Sequence, residues 1–470
     1  MSKRFKVFIL IFSIGFLGLL GHAHALISIE KERELGKEVL QMVYEQAELI
    51  HDPEVVGFVA KIGNRILEHV GVKYFDYQFF VIKDEALNAF AMPGGFVFVH
   101  SGLIEELDSE NELACVLAHE IAHVQGRHIA RRIDRMQKVN IATTAMAIAG
   151  LFLGGGKMSS AVIASAGALN LSIALKYSRE DEEEADRRAY QWLCRAGYDP
   201  RGLATVLKKM QKFRWLGADS IPSYLSTHPG ASERSAYLLD LWERNPCTLK
   251  IKFDPLELRS VQIKVRVLSH DPNILIKRFE RELEATPNDP YLSFGLGSAY
   301  LRARDYSRAE KIFWDLLKTH PEKSVFKRAL GRTYFEAGKY EQAQKILDAY
   351  LHRNPDDINA IYVLAQTYLE LKKYKKGLEL LKKIRSKWPD KAAMSLHMGR
   401  AYAALGINGK AHYHYYKYYQ MTGNSRAAAY HKKKALQLLP SDSAAARELK
   451  NGKDGQEAGN RQDGVNRGRP

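Results

Sequence analysis

The chain has 470 residues, of which 46% are hydrophobic, 26% charged and 10% aromatic, proportions that exclude wholesale disorder. At about 150 residues per domain the length allows roughly two to four domains. Lysine and arginine number 70 against 54 acids, a net charge of +16, and three cysteines are too few for a disulfide-built scaffold.

Lys3, Arg4 and Lys6 precede an apolar run from Val7 to Gly21, and Ala23-His24-Ala25 fits the small-x-small cleavage rule. Residues 1–25 therefore read as a signal peptide cleaved after Ala25. The run is short for a span of roughly 20 residues, so an uncleaved anchor is the lesser reading. An exported chain tolerates disulfides. Cys194 and Cys247 can pair and leave Cys115 free, but sequence alone does not decide it.

LNAFAMPGG spans Leu87 to Gly95, and the following FVFVHSGLI alternates as a strand does. His119-Glu120-Ile121-Ala122-His123 lies in the apolar stretch LACVLAHEIAHV, with no Gly or Pro until Gly126. On a helix, residues four apart share a face, so both imidazoles can bind one zinc ion while Glu120 acts on water beside it. A helix with two ordinary histidines is the plain alternative. His128 has no spacing that gives it a metal role; it reads as a surface residue or as one standing behind a ligand. The apolar stretch from Ile141 to Leu175 is interrupted by Gly154, Gly155, Gly156 and Lys157. Neither half clearly reaches a membrane span, and the stretch reads as two short helices forming a lid or a membrane-apposed flap. A re-entrant or spanning hairpin is the rival.

A hydrolytic zinc site needs a third protein ligand and an open fourth position. Ser178 to Asp186, SREDEEEAD, is acidic and helix-compatible. Glu182 and Asp186 share a helix face, so one can bind zinc while the other supports a ligand histidine. Spacing does not choose among Glu180, Glu182, Glu183 and Glu184, and a solvated acidic face would look the same. Further on, Ser226-Thr227-His228-Pro229 is followed by Arg234.

The C-terminal half repeats. Pro287, Pro321, Pro355 and Pro389 are each 34 residues apart (321−287, 355−321, 389−355). Tyr300, Tyr334, Tyr368 and Tyr402 keep the same step. So do the small residues Gly297, Gly331, Ala365 and Gly399, and Ala309, Ala343, Gly377 and Ala411. Period and columns resemble the tetratricopeptide repeat, a helix-turn-helix unit whose small residues let paired helices approach closely. Such arrays present a groove to peptides or partner proteins. Residues 291–440 hold 28 basic and 12 acidic residues, a net +16. Nucleic acid is a poor partner outside the cytoplasm. An acidic protein face or an anionic membrane surface, met peripherally, suits this charge better, and a solvated surface that keeps the chain soluble is the plain alternative. The tyrosines from Tyr413 to Tyr419 read as a capping repeat that packs them inward. After Pro440 the chain turns polar and Gly-rich.

HEIAH followed by SREDEEEAD resembles the zinc metallopeptidase family of the prenyl-protein (CAAX) endopeptidases and the heat-shock membrane protease. Carried over by position, the resemblance makes His119, His123 and Glu182 the zinc ligands, Glu120 the general base, and Asp186 the acid behind a ligand histidine. It makes Asn88, Ala89, Phe90, Ala91, Met92, Pro93, Gly94 and Gly95 an edge strand beside the cleft, where an extended substrate can pair by its backbone. STHP with Arg234 is similar to the THPxxxxR stretch of the family's periplasmic, repeat-bearing members. That likeness implies that His228 can close on the zinc as a regulatory fourth ligand; an oxyanion donor and a plain turn histidine are the alternatives. Arg234 is left between stabilising an oxyanion and pairing with Asp186.

These readings predict a mostly α chain: an α+β zinc metallopeptidase domain, with its active-site helix against a small β-sheet, followed by an α-solenoid. The expected boundaries are 1–25 signal peptide, 26–250 peptidase, 251–272 linker, 273–440 tetratricopeptide repeats and 441–470 disordered polar tail. With export and repeats added, the resemblance implies a periplasmic, zinc-dependent endopeptidase. It would degrade unfolded or stalled outer-membrane β-barrel proteins, assist their maturation, and dock on the barrel-assembly machinery through its repeats. A chaperone-like scaffold with an idle zinc site and an integral-membrane peptidase are the alternatives.

Overall fold

Helix ends follow local signals. In a computed structural model, which describes residues 27–135, 140–153, 175–215, 223–249, 251, 255–321, 323–386 and 391–451, α1 (Ile29–Gln46) starts where the Ser28 side chain accepts from the Lys31 N–H. α2 (Pro53–Leu67) starts at Asp52, with Pro53 in its first turn. The expected signal peptide lies outside the described residues.

Three short strands follow: β1 (Gln78–Ile82), β2 (Ala89–Met92) and β3 (Phe96–His100). They form one sheet in the order β1-β3-β2, with β1 parallel and β2 antiparallel to β3. Gly94 and Gly95, at φ 87° and 91°, make the β2–β3 turn in a region that side chains disfavour. Alternation divides the sheet between two cores. Ala89, Ala91, Val97 and Val99 join the cluster of α2 and α4 (Glu110–Gln125), the helix that carries HEIAH. Phe90, Met92, Phe96 and Phe98 join α1 and α6 (Ile141–Leu153). α3 (Ser101–Glu106) and α5 (His128–Arg135) flank α4 in sequence.

The acidic stretch forms α7 (Arg179–Ala196). Ser178 and Asp181 cap it reciprocally, and Gly197 ends it at φ 85°. α8 (Gly202–Trp215), α9 (Ser223–Thr227) and α10 (Ala231–Arg244) follow. A disulfide joins Cys194 to Cys247, and Cys115 is free and buried.

Two boundaries are corrected. The expected linker, 251–272, contains α11 (Pro255–Ser269), whose Leu258, Val261 and Val265 are buried in the α2–α4 cluster. Gln262 Nε2 donates to the Leu107 carbonyl at 2.7 Å, and Lys264 pairs with Asp52 and Glu54. The first structural unit therefore runs to His270 and the second begins at Asp271. The expected disordered tail, 441–470, begins as a helix (Ala444–Asn451) with Ala446 and Leu449 buried; residues 452–470 lie outside the described residues. Of the expected lid, Ile141–Leu153 is a helix and 154–174 lie outside the described residues. Among the described residues no helix is long and apolar enough to cross a membrane.

The second unit is an array of paired helices, from α12 (Pro272–Ala285) and α13 (Pro290–Arg302) to the helix Ser425–Leu438 and the terminal Ala444–Asn451. The small column has a steric cause. A Cβ on Gly297 would stand 2.8 Å from Phe313, one on Gly331 2.6 Å from Leu347, and one on Gly399 2.7 Å from Tyr415. The tyrosine column links successive units through the residue 20 positions earlier. Tyr300 donates to Glu280, Tyr334 accepts from Trp314 Nε1, and Tyr368 donates to Asp348. In the capping region Tyr419 stacks on His431, and Tyr413 and Lys417 both bond Glu448.

Candidate metal centre

α4 and α7 pack against each other inside the first unit. Helical spacing on α4 aims His119 and His123 at α7, which returns Glu182, and the segment after α9 brings His228. His119 Nε2 lies 2.9 Å from His123 Nε2, 3.3 Å from His228 Nδ1 and 3.3 Å from Glu182 Oε2. Glu182 Oε1 lies 3.0 Å from His228 Nδ1 and 3.5 Å from His123 Nε2. All four residues are buried, and their donor atoms fall within 4.8 Å of one another.

This donor set fits a divalent cation. Four ligands about 2.1 Å from a tetrahedral centre stand roughly 3.4 Å apart, close to the separations above. Three imidazoles and one carboxylate suit a borderline cation. Glu120, wholly buried, turns two carboxylate oxygens inward, and neither takes a hydrogen bond among the described residues; Oε1 is 3.7 Å from His228 Nε2.

Electrostatics prepare these roles. Burial, with the neighbouring His119, holds the His123 imidazole well below its ordinary value, which keeps it neutral as a ligand must be. Burial pushes Glu120 up, against the pull of His228 and His119. Burial also pushes Glu182 up, but Arg234 and His228 outweigh it and hold that carboxylate well below its usual range.

Asp186 Oδ1 lies 2.9 Å from His119 Nδ1 and accepts from Arg234 Nη2 at 2.7 Å. Arg234 Nη1 also pairs with Glu182 Oε2. In this structure Arg234 thus pairs with both Glu182 and Asp186, one turn apart on α7. A cavity of about 280 Å³ borders Glu182, Asp186 and Arg234.

Of the expected strand from Asn88 to Gly95, Ala89–Met92 forms β2, which packs against α4, and Gly94 and Gly95 form the turn that follows it. β2 is an edge of the sheet, and its four side chains are buried. Phe90 stacks on Phe152 of α6 at 4.9 Å. Sequence reasoning missed two neighbours, Tyr177 and Tyr224, and left a third, His128, between the surface and a place behind a ligand. Tyr177 stacks on His123 at 3.8 Å, Tyr224 stacks on His228 at 4.3 Å, and His128 is fully buried with Nδ1 2.7 Å from His123 Nδ1. Burial draws the His128 imidazole down to about 4. No tyrosine stands near HEIAH in the sequence, so neither ring leaves a local signal.

Fold and site together define a metallopeptidase-type domain followed by a helical repeat array. A family model described as Peptidase family M48 matches residues 56–241. The metalloprotease LoiP of Escherichia coli is 30% identical over 181 residues, covering 38% of this chain and 67% of that one. The chain belongs to peptidase family M48, whose centre holds a divalent metal.

The beta-barrel assembly-enhancing protease of Escherichia coli K12 is 32% identical over 217 residues, covering 46% of this chain and 44% of that one. A Vibrio cholerae relative is 30% identical over 317 residues, covering 65% of this chain and 63% of that one. The chain thus spans between 44% and 63% of the length of these two relatives. Tetratricopeptide repeat models match 276–323 and 362–431, and a model described as anaphase-promoting complex, cyclosome, subunit 3 matches 313–384.

Proposed function

We propose that the chain is a zinc-dependent endopeptidase in which His119, His123 and Glu182 hold the metal and His228 reversibly fills the fourth position. The buried four-donor cluster, with the unpartnered Glu120 carboxylate beside it, carries this reading. Zinc would supply Lewis acidity toward water and toward a peptide carbonyl. Glu120 takes a proton from the attacking water and delivers it to the leaving nitrogen as the C–N bond breaks. Asp186 orients His119 and is itself held by Arg234. Because every side chain of β2 is buried, an extended substrate pairing along the β2 edge would be read through its backbone, which suits unfolded chains of varied sequence.

The signal-peptide pattern and the Cys194–Cys247 disulfide support a periplasmic setting. In that setting the substrates would be unfolded or stalled outer-membrane β-barrel proteins, the class that the names of two relatives concern. Purified chain should cleave an unfolded barrel protein, lose that activity to a zinc chelator and regain it on adding zinc. Cleavage that survives complete metal removal would contradict the proposal.

The repeat array would dock on an acidic face of the barrel-assembly machinery. Lys372, Lys373, Lys375 and Lys376 fall where one repeat turns from its first helix to its second, and they carry the highest local charge of the array. Changing all four to Glu should weaken co-purification with that machinery several-fold at low salt, since exposed charges act within about a Debye length of 10 Å. Unchanged recovery would count against docking through this face.

A further inference from the structure

The two histidines of α4 have different backing. His119 rests through Nδ1 on Asp186. Among the described residues His123 has no carboxylate behind its Nδ1, which meets His128 Nδ1 at 2.7 Å. The chain is shaped to bring this about. Arg127 adopts φ 51°, a conformation that few non-glycine residues take up, and is pinned by ion pairing with Glu32 and a bond to the Ile27 carbonyl. That turn folds His128 back under α4. A Cβ at Gly126 would stand 2.3 Å from His128 Nε2, so glycine there makes room for the ring. On its far side His128 Nε2 faces Glu184 Oε2 at 3.4 Å, and Glu184 is fixed by Arg131 and Arg188.

We propose that His128 is a positioning residue for the metal centre, accepting the outer N–H of His123 so that Nε2 of that ring is presented to the metal. With His123 Nε2 turned toward Glu182 and His119, its proton must sit on Nδ1. The only acceptor it meets among the described contacts is His128 Nδ1. That places the His128 proton on Nε2, facing Glu184. The two ligand histidines are thus aligned by different means: His119 by a carboxylate directly, His123 by an imidazole with a carboxylate beyond it. The inference rests on the metal reading and adds to it a residue that the HExxH spacing does not reveal.

Metal affinity tests it directly, by competition against a chromophoric chelator with zinc and cobalt. His128→Phe keeps a ring but no acceptor, and should lower affinity roughly 10–100-fold and perturb the cobalt spectrum. His128→Asn, whose amide oxygen can replace Nδ1, should restore affinity to within a few-fold of the parent chain. His128→Leu serves if Phe is not accommodated, and melting of the metal-free forms confirms that each variant folds. Parental affinity in a folded Phe or Leu variant would overturn this inference alone. So would an Asn variant as weak as Phe, because rescue depends on the acceptor. If the parent chain itself binds no tight ion, the metal reading falls and this inference with it.

Discussion

Glu120→Gln should lower the rate of peptide cleavage by about 100- to 10,000-fold while leaving metal content and melting temperature nearly unchanged. Gln matches Glu in size, and among the described residues neither carboxylate oxygen takes a hydrogen bond that the change would break. What is lost is the ability to take a proton and return it. Burial already raises this carboxyl above its usual range, which lets it hold the proton between the two halves of the reaction. Single-turnover cleavage of an unfolded protein, alongside metal analysis of the same sample, is the measurement. A Gln variant that cleaves at the parental rate would remove Glu120 from the chemistry. It would favour the view of the chain as a binding scaffold.

His228→Ala should act in the opposite direction and raise cleavage about tenfold or more, if the closed state outweighs the open one by roughly that factor. Its imidazole lies 3.3 Å from His119 Nε2 and 3.0 Å from Glu182 Oε1, fully buried and stacked on Tyr224, so in the proposed centre it would fill the position that water or substrate needs. Metal should be retained through His119, His123 and Glu182, with modestly weaker affinity. A fall in activity at unchanged metal content would reassign His228 to stabilising the reaction. Tyr224→Ala separates the cases further, since loosening the stack should also raise activity if His228 is a latch.

Much of this was legible in the sequence because it is periodic or local. The i,i+4 step placed both histidines on one face of α4, and the 34-residue columns included Gly297, Gly331 and Gly399, where a Cβ would collide with the facing helix, though not Gly409, where it would stand 2.8 Å from the Leu438 carbonyl oxygen. The choice of Glu182 over its acidic neighbours was not local. It came from resemblance, and the structure shows the reason: Glu180 lies on the exposed side of α7 while Glu182 is buried against α4. α11 escaped because Val261, Ile263, Val265 and Val267 alternate with polar residues, a strand-like period, whereas packing on several sides buries all four within a helix. The sequence could not choose between the two places left open for His128, because its position depends on the left-handed turn at Arg127. The Arg127 side chain is held there by Glu32, 95 residues earlier in the chain, and by the Ile27 carbonyl.

The account stands on the metal centre, and metal analysis of Glu182→Gln beside the parent chain tests it most directly. The parent should purify with one zinc ion per chain. The variant should stay folded and lose affinity beyond the roughly 10–100-fold that removal of an outer hydrogen-bond partner costs. A well-folded parent with no divalent ion, or a Gln variant that holds zinc as tightly as the parent, would contradict it.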